Sequence, residues 1–361
     1  MKAAVCRTFG APLAIEHINL RLPGPGEVHV RLDACAICHS DITYIDGGWG
    51  GELPTVFGHE AAGIIQGIGE DVKGLCCGSP VLVTLLRSCG DCFFCGQRQE
   101  SLCETRFSLD ESSPLTDQQG NPVGHGLRTG AFTEEVVVHA SQVVEIPPDL
   151  PMESAALLSC GVITGVGAVK NVAAVPAGAC VATIGIGGVG INCVQGASLS
   201  NARLNIAIDL SKDKLQVGPR FGATHVIDPV AEDAPGVVRR LTEGRGVDYV
   251  FVAAGSRAAI EQSVQLIRRG GMVVLVGMTA EGVKAEFETL DLSNDAIHVV
   301  GSKMGSTRLH SDIPVLVEHY RNGRLKLDEL VSNRYPLEGI NEAIAEVKTG
   351  AVLRNVIMFR E

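Results

Sequence analysis

The chain is 361 residues long, which at about 100–200 residues per domain predicts two domains with a sizeable core and excludes a small stapled scaffold. With 45% hydrophobic and only 20% charged residues, it is too apolar for a disordered polar chain. Thirty Lys and Arg against 41 Asp and Glu leave a formal charge of −11, which repels a phosphate backbone and argues against nucleic acid as a partner.

The opening MKAAVCRTFG soon alternates and lacks the long apolar stretch of a signal peptide, and no run approaches 18 apolar residues. No membrane association is expected, and a cytoplasmic location is. Twelve Cys diluted over so long a chain suit metal binding or free thiols better than a disulfide framework. In the first 150 residues, 3–6, 27–32, 61–68, 80–86 and 132–138 read as strands, broken by turns such as Pro23-Gly24-Pro25-Gly26. A helical stretch from 153 to about 171 follows Pro147, Pro148 and Pro151.

From Gly178 onward apolar runs at 181–184, 204–208, 224–227, 249–253, 272–276 and 298–300 alternate with helical periodicity at 189–200, 212–221, 236–242 and 258–268. Strands buried on both faces and alternating with helices predict a doubly wound parallel α/β domain. Helices at 313–321 and 340–347 and a strand at 352–358 suggest that the tail returns to the first domain.

Four groups of residues point to chemistry. Gly185-Ile186-Gly187-Gly188-Val189-Gly190 matches G-x-G-x-x-G between a predicted strand and helix, where Gly185 permits the turn, Gly187 lets the backbone close on a pyrophosphate and Gly190 lets helix and strand approach. Asp209, 24 residues after Gly185, is placed to accept from ribose hydroxyls and to repel a 2′-phosphate, favouring NAD over NADP. A plain helix cap is its alternative role. Lys214 is a candidate to help hold the ribose. Cys89, Cys92, Cys95 and Cys103 form C-x2-C-x2-C-x7-C, suited to one closed tetrahedral zinc, with an iron–sulfur cluster as the rival. Cys38-His39-Ser40-Asp41 and Gly58-His59-Glu60 add a thiol, two imidazoles and two carboxylates.

Together and in this order, these groups resemble the zinc-dependent medium-chain alcohol dehydrogenases over essentially the whole chain. The resemblance implies a mostly β, GroES-like catalytic domain (1–157 and 303–361) with both zinc sites, and a Rossmann domain (158–302). It implies Cys38, His59 and Cys160, the last in Ser159-Cys160-Gly161-Val162-Ile163-Thr164-Gly165, as ligands of a catalytic zinc. Asp41 would orient His59, Glu60 would stand near the metal and help ligand exchange, and Ser40 would take the substrate proton. His39 would lie near the pyrophosphate, Thr164 and Val189 against the cofactor with Gly188, and Trp49, Leu85 and Leu86 along the substrate pocket. The implied reaction is hydride transfer between a primary or secondary alcohol and NAD, with two zinc ions per chain, in a homodimer or homotetramer. Two departures stand out: Thr43 replaces the His that ends the proton relay in many relatives, and a Cys76-Cys77 pair is expected to be two buried thiols. A thiol-adduct formaldehyde dehydrogenase of the same family, with its carrier site in segment 107–129, and a non-catalytic NAD-binding regulatory protein are the alternatives.

Overall fold

The computed structural model describes residues 1–360. It divides into two compact units, Met1–Cys160 with Arg308–Val317 and Leu327–Glu361, and Gly161–Thr307 with Glu318–Lys326.

The first unit is built on sheets. Strand Glu27–Ala36 is its spine: it pairs with Glu60–Ile68, with Glu135–His139 and with the C-terminal strand Arg354–Met358, all antiparallel. Val28, Val30 and Leu32 are buried on one face, the two-residue period of a strand facing a core, and after a register shift between Leu32 and Ala34 it is Cys35 that joins the core. The core joins them to Val5, Ile65, Val81, Phe132, Val138 and Ile357. Outward from Glu60–Ile68 come Pro80–Val83 and then Val143–Glu145. A short helix, His39–Ile45, starts at Cys38, and the Asp41 carboxylate reaches back to the Cys38 N–H at 3.0 Å, closing the helix start.

The second unit holds six parallel strands in the order His225–Ile227, Leu204–Ile208, Cys180–Ile184, Val247–Val252, Ile267–Leu275, His298–Gly301. Numbered along the chain this is 3-2-1-4-5-6, the doubly wound dinucleotide-binding order, whose ligand crevice lies at the carboxyl ends of strands 1 and 4.

Several boundaries shift from expectation. Strand 80–86 stops at Val83, because Leu85 to Ser88 leave the sheet. The helix expected over 258–268 ends at Leu266, and Ile267 begins the next strand. Met152–Val172, where a helix was expected from 153 to about 171, is a 21-residue helix that by length and composition alone could cross a membrane, and 89% of its most apolar window is buried inside the protein. Glu153, Lys170, three Gly and the Ser and Thr residues interrupt it, so it contains no run near 18 apolar residues.

Candidate active site

Cys38, His59, Glu60 and Cys160 come from three separate stretches of the chain, yet their ligand atoms lie within 4.8 Å of one another and all four side chains are buried. Cys38 precedes the helix His39–Ile45, Glu60 begins the strand Glu60–Ile68, and Cys160 sits in a widened π turn, Leu158–Val162. Such turns re-aim a side chain that regular helix geometry would point elsewhere, and they concentrate at functional sites. Asp41 organises the cluster. Its Oδ1 accepts from Gly58 N at 3.0 Å and faces His59 Nδ1 at 2.9 Å, while Oδ2 takes the Cys38 N–H. A carboxylate only accepts, so Nδ1 carries the hydrogen and the Nε2 lone pair faces the two sulfurs.

Among the described residues His59 Nε2 and Glu60 Oε1 are buried with no hydrogen-bond partner. An orphaned imidazole nitrogen beside two thiols is costly unless something binds it, and two sulfurs with one imidazole suit zinc with a coordination position left over. The four groups perturb one another strongly. A hydrogen bond from the Cys160 thiol holds Cys38 well below the usual thiol range despite burial, and the same bond with burial pushes Cys160 up. Burial pulls His59 down, but Asp41 and the Cys38 sulfur outweigh it and raise the imidazole. Glu60 is ion-paired through Oε2 to Arg354. Burial pushes its carboxyl up to about 8 against the opposing pull of that guanidinium. Arg354 was not among the predicted site residues; the available signal was a charged residue, followed by Asn355, inside the mostly apolar segment 352–358.

The Cys tetrad converges as well: Cys89, Cys92, Cys95 and Cys103 sulfurs lie within 4.8 Å of one another, with Cys89–Cys95 and Cys92–Cys103 each at 3.9 Å. Four thiolates at 2.3 Å around one tetrahedral ion are separated by about 3.8 Å, so the spacing fits a single zinc. Backbone N–H groups of Cys95 and Glu104 hold the Cys92 thiol down to about 6, while burial pushes Cys95 up to about 12.

In the second unit the glycine loop follows strand Cys180–Ile184. Gly185 has φ +83°, which favours glycine. A Cβ on Gly190 would fall 1.7 Å from Gly185 O, whereas one on Gly187 would meet only Lys214 Nζ at 3.9 Å. Gly190 thus closes helix onto strand, and Gly187 borders open space of the kind a pyrophosphate fills. Asp209 is not the helix cap; Ser211 is, accepting from Lys214 N. Asp209 instead accepts from Ile186 N at 2.7 Å and from Ser211 N at 2.8 Å, bracing the glycine loop against the next strand.

The other predicted residues are placed as follows. Ser40 is half-buried in the first turn after Cys38, and His39 is exposed. The Thr43 hydroxyl donates to His39 O at 2.9 Å. Thr164 is buried, with its hydroxyl 3.6 Å from Met304 Sδ. Val189 caps helix Gly190–Leu199. Trp49 meets Tyr44 edge-on at 5.1 Å, and Tyr44 stacks on Phe57, two residues before His59. Leu85 is half-buried and Leu86 buried. Cys76 and Cys77 are both exposed, correcting the expectation of buried thiols: they lie in a turn flanked by Gly74 and Gly78, both at positive φ.

Residues 24–148 match the alcohol dehydrogenase GroES-like domain family, and residues 188–321 the zinc-binding dehydrogenase family. The chain is 33% identical to Alcohol dehydrogenase-like 7 of Arabidopsis thaliana over 374 aligned positions, covering 99% of this chain and 94% of that protein. Among solved structures it is similar to an alcohol dehydrogenase zinc-binding domain protein from Burkholderia ambifaria (TM-score 0.95, 33% identity, 100% and 99% of the two chains). It is also similar to a benzyl alcohol dehydrogenase from Acinetobacter calcoaceticus (TM-score 0.93, 29% identity, 99% of each chain).

Proposed function

The chain belongs to the zinc-dependent medium-chain alcohol dehydrogenase family, and on that premise we propose that it interconverts a primary or secondary alcohol bearing an apolar group and the matching carbonyl compound, with NAD as the redox partner. The observation that carries this reading is the convergence, within 4.8 Å of one another, of the ligand atoms of Cys38, His59, Glu60 and Cys160, all buried.

Cys38, His59 and Cys160 would hold the catalytic zinc, and Cys89, Cys92, Cys95 and Cys103 a structural one. When bound, zinc supplies Lewis-acid charge and NAD supplies a two-electron acceptor. The protein's own residues do the rest. Asp41 fixes the tautomer and orientation of His59, so that Nε2 is a ligand and not a donor. Ser40, in the first turn after Cys38, would relay the proton that the alcohol loses, accepting it while passing its own hydroxyl proton outward to solvent. Glu60 keeps Oε1 toward the cluster while Arg354 neutralises Oε2. Asp209 presents a negative group where a 2′-phosphate would have to sit, which favours NAD, and Gly187 leaves room for the pyrophosphate. Trp49 and Leu85 line the apolar side of the substrate pocket; the relative named for benzyl alcohol makes aromatic alcohols the first to try.

The thiol-adduct reading is disfavoured by segment 107–129. A cavity of about 540 Å³ there is lined by Glu52, Asp110, Glu111 and Arg128, with Asp110 paired to Arg87 and Glu111 to Arg106, so among the described residues no unpaired basic cluster is present there to take an anionic carrier. The test is a panel of alcohols and aldehydes with NAD(H), read as nicotinamide absorbance. Alcohol-dependent NADH formation that Cys38→Ala abolishes is expected. A higher rate with formaldehyde plus a low-molecular-weight thiol than with any alcohol would reject the reading, as would no turnover at all.

A further inference from the structure

We infer that Thr84 and Ser159, two residues outside the ligand set, are positioning residues that hold Cys160 in register with His59. This inference rests on the zinc-centre reading above. Ser159, immediately before Cys160, makes two buried hydrogen bonds in different directions. Its carbonyl accepts from Thr84 Oγ1 at 2.6 Å, and its hydroxyl donates to the carbonyl of Ala61 at 3.1 Å. Ala61 follows Glu60 in the strand that opens just after His59. One residue therefore ties the turn carrying one sulfur to the strand beside the imidazole.

The tie is needed because of the turn. Leu158–Val162 is a π turn, and a widened turn interrupts the regular i to i+4 hydrogen-bond ladder. A buried carbonyl there without a partner is unfavourable, and the Thr84 hydroxyl meets that need for Ser159. Thr84 is in turn immobilised: its carbonyl accepts from Gln142 Nε2 at 2.7 Å, and Gln142 Oε1 accepts from Arg87 Nε at 2.6 Å. Arg87 goes on to Asp110 Oδ1 at 2.8 Å and to the carbonyl of Arg128 at 3.0 Å. Thr84, Gln142 and Ser159 have no exposed surface, and Arg87 only 2%. A fully satisfied buried network of this kind has few alternative arrangements.

Removing a group that orients a metal ligand typically weakens metal binding about 10–100-fold. Thr84→Val keeps shape and burial but loses the hydroxyl; Thr84→Ser keeps it; Ser159→Ala removes the second tie. The experiment loads wild type and variants with cobalt(II) and follows the visible spectrum and chelator-driven metal release, with the four-sulfur tetrad as internal reference. The inference predicts about 10-fold or faster release from the Cys38/His59/Cys160 site in Thr84→Val and Ser159→Ala, a shifted ligand-field spectrum for that site, an unchanged tetrad signal, and near wild-type behaviour of Thr84→Ser. Wild-type release and spectra in both Thr84→Val and Ser159→Ala would overturn it. So would parallel loss of metal from both sites in the two variants, the mark of a general folding role. Wild type that takes cobalt at the tetrad alone would instead refute the metal-centre reading on which the inference stands.

Discussion

Gly187→Ala and Gly190→Ala are chemically the same change three residues apart, and they should move stability in opposite directions. At Gly190 the added Cβ falls 1.7 Å from Gly185 O and 3.1 Å from Ala253 Cβ, against an ordinary carbon contact of about 3.5 Å. The helix Gly190–Leu199 must shift away from its strand, at a cost of about 1–3 kcal/mol or more. At Gly187 the backbone φ is not in the left-handed region and nothing lies closer than Lys214 Nζ at 3.9 Å. Alanine there is accommodated, and the loss of unfolded-state freedom stabilises by about 0.4–1 kcal/mol. Binding should report the converse, because the Gly187 Cβ occupies the surface on which a pyrophosphate would rest: NADH affinity is expected to fall at least about tenfold, or 1.4 kcal/mol. Urea unfolding gives the first quantity and NADH fluorescence titration the second. A Gly187→Ala protein as destabilised as Gly190→Ala, or one that binds NADH like wild type, would refute the assignment of Gly187 to the cofactor and of Gly190 to packing.

Arg354→Met leaves the Glu60 carboxyl buried without its partner, with side-chain exposures of 4% and 0% for the two residues; since burial already holds that carboxyl at about 8, it takes up a proton, and stability should drop by about 1–3 kcal/mol in urea for the unsatisfied group, Glu60→Gln/Arg354→Met should recover part of it, and an unchanged stability would show the pair to be dispensable. Burial, aided by Arg87, lowers His125 to about 4. A histidine depressed in the folded state stabilises fully above its unfolded value of about 6.5 and loses that stabilisation as pH falls toward 4. Wild type should therefore lose about 2 kcal/mol more than His125→Gln between pH 7 and pH 5, and equal losses would contradict the shift. Asp209→Gly should raise the NADP/NAD ratio of kcat/KM; an unchanged ratio would show that Asp209 braces the loop through Ile186 and Ser211 without selecting the cofactor.

What could be read before the structure was what is local. The glycine loop and the Cys tetrad are contiguous, so spacing alone predicted their geometry, and the apolar runs of the second unit carried the parallel sheet. Cys38, His59 and Cys160 are separated by long stretches, and no periodicity joins them; the family resemblance did. Arg354 lies 294 positions from Glu60, and the Thr84–Ser159 bond spans 75. Such contacts arise from the closure of the first unit's sheets, which leaves no trace in local pattern. Cys76 and Cys77 were misread because cysteine is usually buried, although the glycines on either side already marked a turn.

The most direct measurement is the metal content of the purified chain, for wild type and for Cys160→Ala. Two equivalents of zinc per chain in wild type and one in the variant are expected if Cys38, His59 and Cys160 form one metal centre and the Cys tetrad another. A single equivalent that Cys160→Ala leaves untouched would mean that the two sulfurs and the imidazole hold no ion, and the proposed chemistry would fall with them.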